Sequence, residues 1–243
     1  MQSNLVFNTL NQVDSTNNYA MEQIHAGLAN HGMAWYAREQ VSGKGQRGKT
    51  WNSAAGENII LSTAIVPPAA VSNHPFLFNA IVSLTSKRFI EEIISETVKI
   101  KWPNDLMIRD RKSAGILIEN NYRGNSWNWA VVGVGINVNQ IEFPENSNNP
   151  ISIKEITGET YNPELLARKL HQYLIDAFAN LSIGQILTNY NDSLFKIGEK
   201  TTLRTSNNVF ETTIIGVNEK GLLMTSDVIE RTFQFGEVEW VVG

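Results

Sequence analysis

Two stretches of this chain concentrate residues able to handle anions. In Gly43-Lys44-Gly45-Gln46-Arg47-Gly48-Lys49, three glycines and three cations fall within seven residues, and no apolar side chain intervenes. Such a loop has little to bury and is predicted to be exposed and mobile when empty. Its cations and free N–H groups suit a phosphate or a carboxylate. The spacing is neither that of a Walker A loop nor Gly-x-Gly-x-x-Gly. A solvated connection is the competing reading, but Trp51 stands at the loop's edge, and an indole there can stack on a base. The second stretch runs from Lys101 to Glu119. Apolar residues at Leu106-Met107-Ile108 and Ile116-Leu117-Ile118 flank Asp110-Arg111, the pattern of a β-hairpin. Lys112 falls just past the turn, Asn104-Asp105 opens the first strand, and Gly115 permits close approach of a ligand or another backbone. Read alone, Lys112 is a solvated hairpin lysine.

Two further places are polar where their neighbours are not. Ser15-Thr16-Asn17 precedes Tyr19, Ala20, Ile24 and Leu28 at near-helical spacing, so it reads as a helix N-cap. That reading is compatible with a second one, because adjacent hydroxyl and amide groups at a helix start can satisfy a polar, uncharged ligand. Val131-Val132-Gly133-Val134-Gly135-Ile136-Asn137 suits a central strand covered on both faces. Its two glycines leave room for something flat, and Asn137 is the one polar side chain at its end.

The elements that must hold these groups can be read from periodicity. Strands are predicted at Leu5 to Leu10, Met33 to Arg38, Asn58 to Val66, Val98 to Trp102 and Trp127 to Val138. Phe76 to Ile94 and the segment following Pro163 repeat as amphipathic helices, and Ile183 to Phe195 as a shorter one. Asn139 to Pro150 is a polar loop. From Gly198 the texture changes to five short alternating strands, Thr201 to Arg204, Val209 to Val217, Gly221 to Thr225, Val228 to Phe233 and Val238 to Val242, separated by turn residues. The fold class is therefore α+β, a mixed β-sheet packed with helices plus a small C-terminal β-barrel. The expected boundaries are 1–195 and 196–243.

Composition excludes several function classes. At 243 residues and 42% hydrophobic, the chain can build one ordinary core with an appendage. A net charge of −4 argues against a surface dedicated to nucleic acid. With no cysteine there are no disulfides or thiolate metal sites, and His25, His31, His74 and His171 fit no zinc spacing. No apolar run approaches the roughly 18 residues of a membrane span, and no signal segment opens the chain. The expectation is a soluble, cytoplasmic protein.

Taken in order, Ser15-Thr16-Asn17, Gln40 with the Gly43–Lys49 loop, Lys101-Trp102-Pro103-Asn104-Asp105, Lys112-Ser113-Ala114-Gly115-Ile116-Leu117-Ile118-Glu119 and Gly133-Val134-Gly135-Ile136-Asn137 resemble the motifs of biotin–protein ligases. Each motif alone is weak; five in order, followed by a small barrel, are specific. The resemblance implies a class II synthetase-like catalytic domain and an SH3-like tail. It implies that biotin and Mg-ATP form biotinyl-5′-AMP, from which biotin passes to a lysine of a biotin carboxyl carrier domain. By the same resemblance Ser15, Thr16, Asn17 and Gln40 hold the ureido ring, with Gly45, Gln46 and Gly115 near biotin. Lys44 and Lys112 hold the biotin carboxylate and the α-phosphate, with Lys112 the principal electrostatic catalyst. Arg47 and Lys49 belong to the nucleotide side, Trp51 stacks on adenine, Asn104 and Asn137 lie near its edge, and Asp105 either supports Mg²⁺ or positions neighbouring side chains.

The likeness is least close in the glycine loop. The family pattern is Gly-Arg-Gly-Arg-x-Gly-Arg; here Lys44 and Lys49 replace the outer arginines and Gln46 the middle one. Lysine keeps the charge but loses the bidentate fork, and glutamine loses both. Some relatives carry an N-terminal helix–turn–helix and act as repressors; the chain starts almost at the catalytic strand, so no DNA binding is expected. Homodimerisation through the sheet is an expectation from the family. A lipoate or octanoate ligase or transferase of the same fold, and a non-catalytic biotin or nucleotide sensor, are the competing functions.

Overall fold

The computed structural model describes residues 5–145 and 149–241; residues 146–148 of the predicted polar loop and residue 242 of the last predicted strand lie outside them. Seven strands build the main sheet: β1 (Phe7–Val13), β2 (Ala34–Gln40), β3 (Ile59–Ile65), β4 (Lys99–Lys101), β5 (Asp105–Ile108), β6 (Arg111–Arg123) and β7 (Ser126–Ile136). Their order is β1-β2-β3-β7-β6-β5-β4, with β1 and β2 parallel and every other pair antiparallel. A parallel pair needs a crossover, which helix α1 (Thr16–His25) supplies. The first strand begins later and runs longer than its apolar residues predict, because its pairing with β2 continues to Val13 opposite Gln40.

Strand alternation divides the sheet into two faces. On one, Tyr36, Leu61, Ile65, Ile116, Val132 and Val134 meet Phe78, Phe89 and Ile90 of α2 (Pro75–Ile94) and Leu170 and Leu174 of α4 (Pro163–Ala179). This is the main core. Both helices start as the sequence indicates, with Pro75 and Pro163 in the first turn, and the Asn162 side chain accepts from Leu165 N at 3.1 Å. On the other face, α1 packs Ala20 against Trp35, Ala64 and Val131 and covers only part of the sheet. The rest of that face stays open.

The β5–β6 hairpin turns at Arg109 and Asp110, with φ of 49° and 62°, one residue earlier than predicted. Two consecutive positive values make the tight turn whose twist matches a hairpin. Ion pairs to side chains, Arg109 with Glu96 and Asp110 with Lys196, accompany it. Helix α3 (Ile153–Thr157) was not predicted. It is only five residues long, too short to show periodicity, and a capping box between Ser152 and Glu155 sets it. Where the sequence indicates one helix from Ile183 to Phe195, a 3-10 turn leads into α5 (Ile186–Asp192).

Five antiparallel strands follow, β8 (Lys200–Arg204), β9 (Val209–Val217), β10 (Leu223–Ser226), β11 (Glu230–Phe233) and β12 (Glu239–Trp240), in the order β11-β10-β9-β8-β12. This second sheet agrees with the SH3-like tail expected. Its apolar residues Leu203, Ile214, Val217, Leu223 and Val238 join the same cluster as the main core. Trp102 Nε1 donates to Gly221 O at 3.0 Å, and Phe235 stands edge-on to the Trp102 ring at 6.1 Å. The second sheet is thereby fixed over the open face of the first.

Candidate active site

Between the open face, the 43–51 loop and the second sheet lies a cavity of about 850 Å³. Register fixes its floor. Across the sheet, Lys101 stands opposite Asp105, Asp105 opposite Gly115, Gly115 opposite Gly135, and Gly135 opposite Ile60. One step along, Leu117, Gly133 and Ser62 form a parallel row. Ionic groups therefore gather at the β4–β5 end and neutral polar groups at the β3 end. Glycines lie between.

The neutral end is a connected hydrogen-bond network. Gln40 Oε1 accepts from Thr16 N at 2.7 Å and from Thr16 Oγ1 at 3.1 Å. Ser62 Oγ lies 2.8 Å from Thr16 Oγ1 and donates to Asn17 Oδ1 at 2.6 Å. Asn17 Nδ2 donates to Leu117 O and to Glu119 Oε2, the latter at 2.8 Å. Ser15, Thr16 and Asn17 are all buried. Ser15 occupies the N-cap position, but its side chain makes no cap bond, so the simple capping expectation does not describe it. Gly133 is required here: a Cβ would stand 2.3 Å from Asn17 Oδ1.

The cationic end is assembled from distant segments. Lys44, Arg47, Lys49, Lys101 and Lys112 all line the cavity, against two carboxylates, Asp105 and Glu239. Five cations against two anions leave a net charge of +3 in a chain of net charge −4, a concentration that attracts anionic ligands. Lys112 Nζ is 2.7 Å from Asp105 Oδ1, and Lys44 Nζ is 3.8 Å from Glu119 Oε1. Burial pulls the Lys101 ammonium below the ordinary lysine range. Asn137 Nδ2 donates to Lys112 O at 3.2 Å and Ile151 O at 3.3 Å, and Asn104 Nδ2 donates to Ile116 O. Both amides thus brace the strands that carry Lys112 and Gly115. Pro103 O, accepting from Tyr190 Oη at 2.8 Å and Asn79 Nδ2 at 2.9 Å, anchors the turn before Asn104.

The glycine loop, which has little apolar surface to bury, carries backbone bonds within itself. Lys44 bridges Thr50, Gly45 N donates to Lys49 O, and Trp51 N donates to Gly43 O at 2.9 Å. Backbone bonds do what apolar burial cannot. They turn Trp51 inward, where its indole rests on the floor: a Cβ on Gly135 would be 2.6 Å from Trp51 Cε2, and one on Gly115 3.1 Å from Cζ3. The Trp51 Nε1 donor and the Gln46 Oε1 acceptor are buried without a partner, two polar atoms that a ligand can satisfy. Arg47 Nη1 reaches out of the loop to Gly236 O at 2.8 Å.

Ser15, Thr16, Asn17, Gln40, Lys44, Gly45, Gln46, Arg47, Lys49, Trp51, Asn104, Asp105, Lys112, Gly115 and Asn137, singled out from sequence, all line this one cavity. Sequence reasoning gave no role to Ser62, Glu119 or Lys101, nor to the wall made by Phe235, Gly236, Glu239 and Trp240. Ser62 had a signal, a hydroxyl facing the same way as Ile60 in a strand whose one other polar side chain, Thr63, faces the opposite way. The wall had none, because it is joined to the site only by folding.

Comparisons with known proteins agree with the geometry. The model of the Biotin/lipoate A/B protein ligase family matches residues 9–137. The Bifunctional ligase/repressor BirA of Salmonella typhimurium is 30% identical over 93% of this chain and 71% of its own length. The Biotin--[acetyl-CoA-carboxylase] ligase of Paracoccus denitrificans is 28% identical over 88% of this chain and 92% of its own. A biotin protein ligase from Aquifex aeolicus, solved in complex with biotin and ATP, shares the fold with a TM-score of 0.82 at 24% identity, covering 98% of this chain and 99% of that one. With a model matching over half its length and a close relative covered over most of it, this chain belongs to the biotin/lipoate A/B protein ligase family.

Proposed function

We propose that this chain is an ATP-dependent biotin–protein ligase that forms biotinyl-5′-AMP and transfers biotin to a lysine of a biotin carboxyl carrier domain. One observation carries the reading: a single cavity joins a neutral hydrogen-bonding end to a cationic end across a glycine floor. A ureido ring offers both donors and a carbonyl acceptor. Thr16, Asn17, Gln40 and Ser62 present the complementary groups, already held by one another. The dithiolane of lipoate has no such groups and would make no hydrogen bond with that network. The polar end therefore favours biotin over the lipoate reading.

In the first half-reaction a biotin carboxylate oxygen bonds to the α-phosphorus while the bond to the bridging oxygen breaks, and the electron pair leaves with pyrophosphate. Both reactants are anions, so the site must offset their repulsion and the charge gathering on the α-phosphoryl oxygens. Lys112 and Lys44 do so from two separate segments, Lys112 held in place by Asp105 and by the Asn137 clamp on its backbone. Arg47 and Lys49 stand on the nucleotide side, and Trp51 offers its ring to the base. Among the described residues no group of three or more His, Cys, Asp or Glu side chains could hold a metal. Asp105 is the cavity carboxylate that would help hold a Mg²⁺ bound with the nucleotide, which would supply charge neutralisation. In the second half-reaction an acceptor amine attacks the mixed anhydride carbonyl and AMP leaves. We assign this chemistry to residues 1–195, with 196–243 closing the cavity, and place it in the cytoplasm, where ATP and carrier domains meet. No helix among the described residues is long and apolar enough to cross a membrane.

The test is incubation with ATP, Mg²⁺, an acceptor domain and either biotin or lipoate. Biotin transfer without lipoate transfer is the expected result; lipoate preference, or binding without transfer, overturns the reading. In the same assay Lys112→Ala should lower adenylate formation by about 10²–10³-fold.

A further inference from the structure

Lys101 is the one lysine of the floor that the chemistry above leaves without work. It ends the row that begins at Gly135, two strands beyond Gly115 and so about 10 Å from it at ordinary strand spacing. Lys112 has Asp105 and Lys44 has Glu119; among the described residues Lys101 forms no ion pair. Asp105, its cross-strand neighbour, is already engaged by Lys112, so two ammonium groups share one carboxylate and burial still disfavours the Lys101 charge, a deficit that an arriving anion offsets. The Lys101 Nζ lies over Trp240 of the second sheet, 5.7 Å from the ring centroid. The Trp240 Nε1 donor is buried and has no partner. A cation of the first sheet and a buried, unpartnered donor of the second therefore line the wall of the same cavity.

We propose that Lys101, roofed by Trp240, receives the β- and γ-phosphates of the nucleotide and holds the pyrophosphate as it leaves. The assignment rests on the ligase reading and deepens it. As the α-phosphorus takes the carboxylate oxygen, the bridging oxygen keeps the electron pair and the pyrophosphate gains a negative charge. Lys101 sits beyond Lys112 on the side away from the neutral pocket, where that charge develops. Lys112 and Lys44 then serve the carboxylate and the α-phosphate. Lys101 has no duty in the second half-reaction, from which pyrophosphate is absent.

That asymmetry supplies the experiment. Lys101→Gln is compared with the unaltered protein in two assays: biotin-dependent exchange of labelled pyrophosphate into ATP, and transfer from added biotinyl-5′-AMP to the acceptor. The expected result is exchange reduced about a hundredfold and half-saturating pyrophosphate raised roughly tenfold, with transfer within about twofold of normal. Lys101→Arg, which keeps the charge, should restore exchange to within roughly tenfold of normal. Equal losses in both assays, or no loss in either, overturn the assignment. Failure of the unaltered protein to exchange pyrophosphate in a biotin-dependent way sinks the ligase reading instead, so the two failures are distinguishable.

Discussion

The two glycines of β7 face the same cavity but touch different things, and that difference is measurable. A Cβ at Gly133 would strike Asn17 at the neutral end; a Cβ at Gly135 would strike the Trp51 indole. Gly133→Ala is therefore expected to raise KM for biotin about tenfold and leave KM for ATP nearly unchanged, while Gly135→Ala does the reverse. Steady-state kinetics with each substrate varied in turn checks this, and a pair of variants affecting both constants alike would contradict the assignment of the two ends. Much of this site was legible in sequence because its cations and hydroxyls come in local runs: 15–17, 43–51 and 101–119 each fit within a single turn, loop or hairpin. What was not legible is how those residues are engaged. Asn104 and Asn137 look like ligand contacts in sequence, yet both donate to backbone carbonyls. Trp51 shows no more than an indole by a loop, and only the register of β6 with β7 shows that it rests on glycines. Gln46, the residue that departs most from the family pattern, keeps a buried carbonyl oxygen without a partner.

Among the elements, β1, β2 and α4 meet around a group with a pH dependence of its own. His171 on α4 is buried, contacts Gly32 O at 2.7 Å through Nε2, and lies 5.8 Å from the Phe7 ring. Burial, chiefly, and the nearby Arg168 charge hold its pKa below the usual 6.5, with the Gly32 carbonyl opposing. The unfolded chain thus takes up a proton as pH falls through 6.5 while the folded chain resists. Stability is retained above that value and declines below it until the lower folded pKa is reached, by at most about 1.4 kcal/mol per pH unit. Urea denaturation at pH 7.5 and 5.5 should show a smaller loss in His171→Gln, which keeps a donor for Gly32 O. An equal loss in both proteins would rule out His171 as the source. The long elements here follow from sequence, since β3 and β7 carry nearly continuous apolar runs and α2 and α4 carry helical patterns. The exceptions have physical causes: α3 is a capping box around five residues, and the parallel pairing of β1 leaves no mark on its own alternation.

For the whole molecule, the second sheet supplies one wall of the cavity. It meets the first sheet through Trp102 and Gly221, and it meets the glycine loop through Arg47 and Gly236. The second contact is tight: Gly236 has φ +89°, and a Cβ there would lie 2.7 Å from Arg47 Cζ. A side chain at Gly236 therefore strains the backbone and expels the guanidinium together. If this contact is the latch that keeps the loop over the adenylate, breaking it from either side should speed the loss of biotinyl-5′-AMP. We expect Arg47→Ala and Gly236→Ala each to raise the dissociation rate of preformed biotinyl-5′-AMP roughly three- to tenfold, with about 1 kcal/mol lost in each case. The double variant should be no worse than the worse single one, because one hydrogen bond cannot be broken twice. Stopped-flow release of the adenylate from all four proteins measures this cycle. Additive effects would mean that Arg47 and Gly236 act separately, Arg47 on the nucleotide and Gly236 on the turn that carries Phe235 and Trp240. The cycle thus decides whether the two sheets close the site as one lid or as two independent walls.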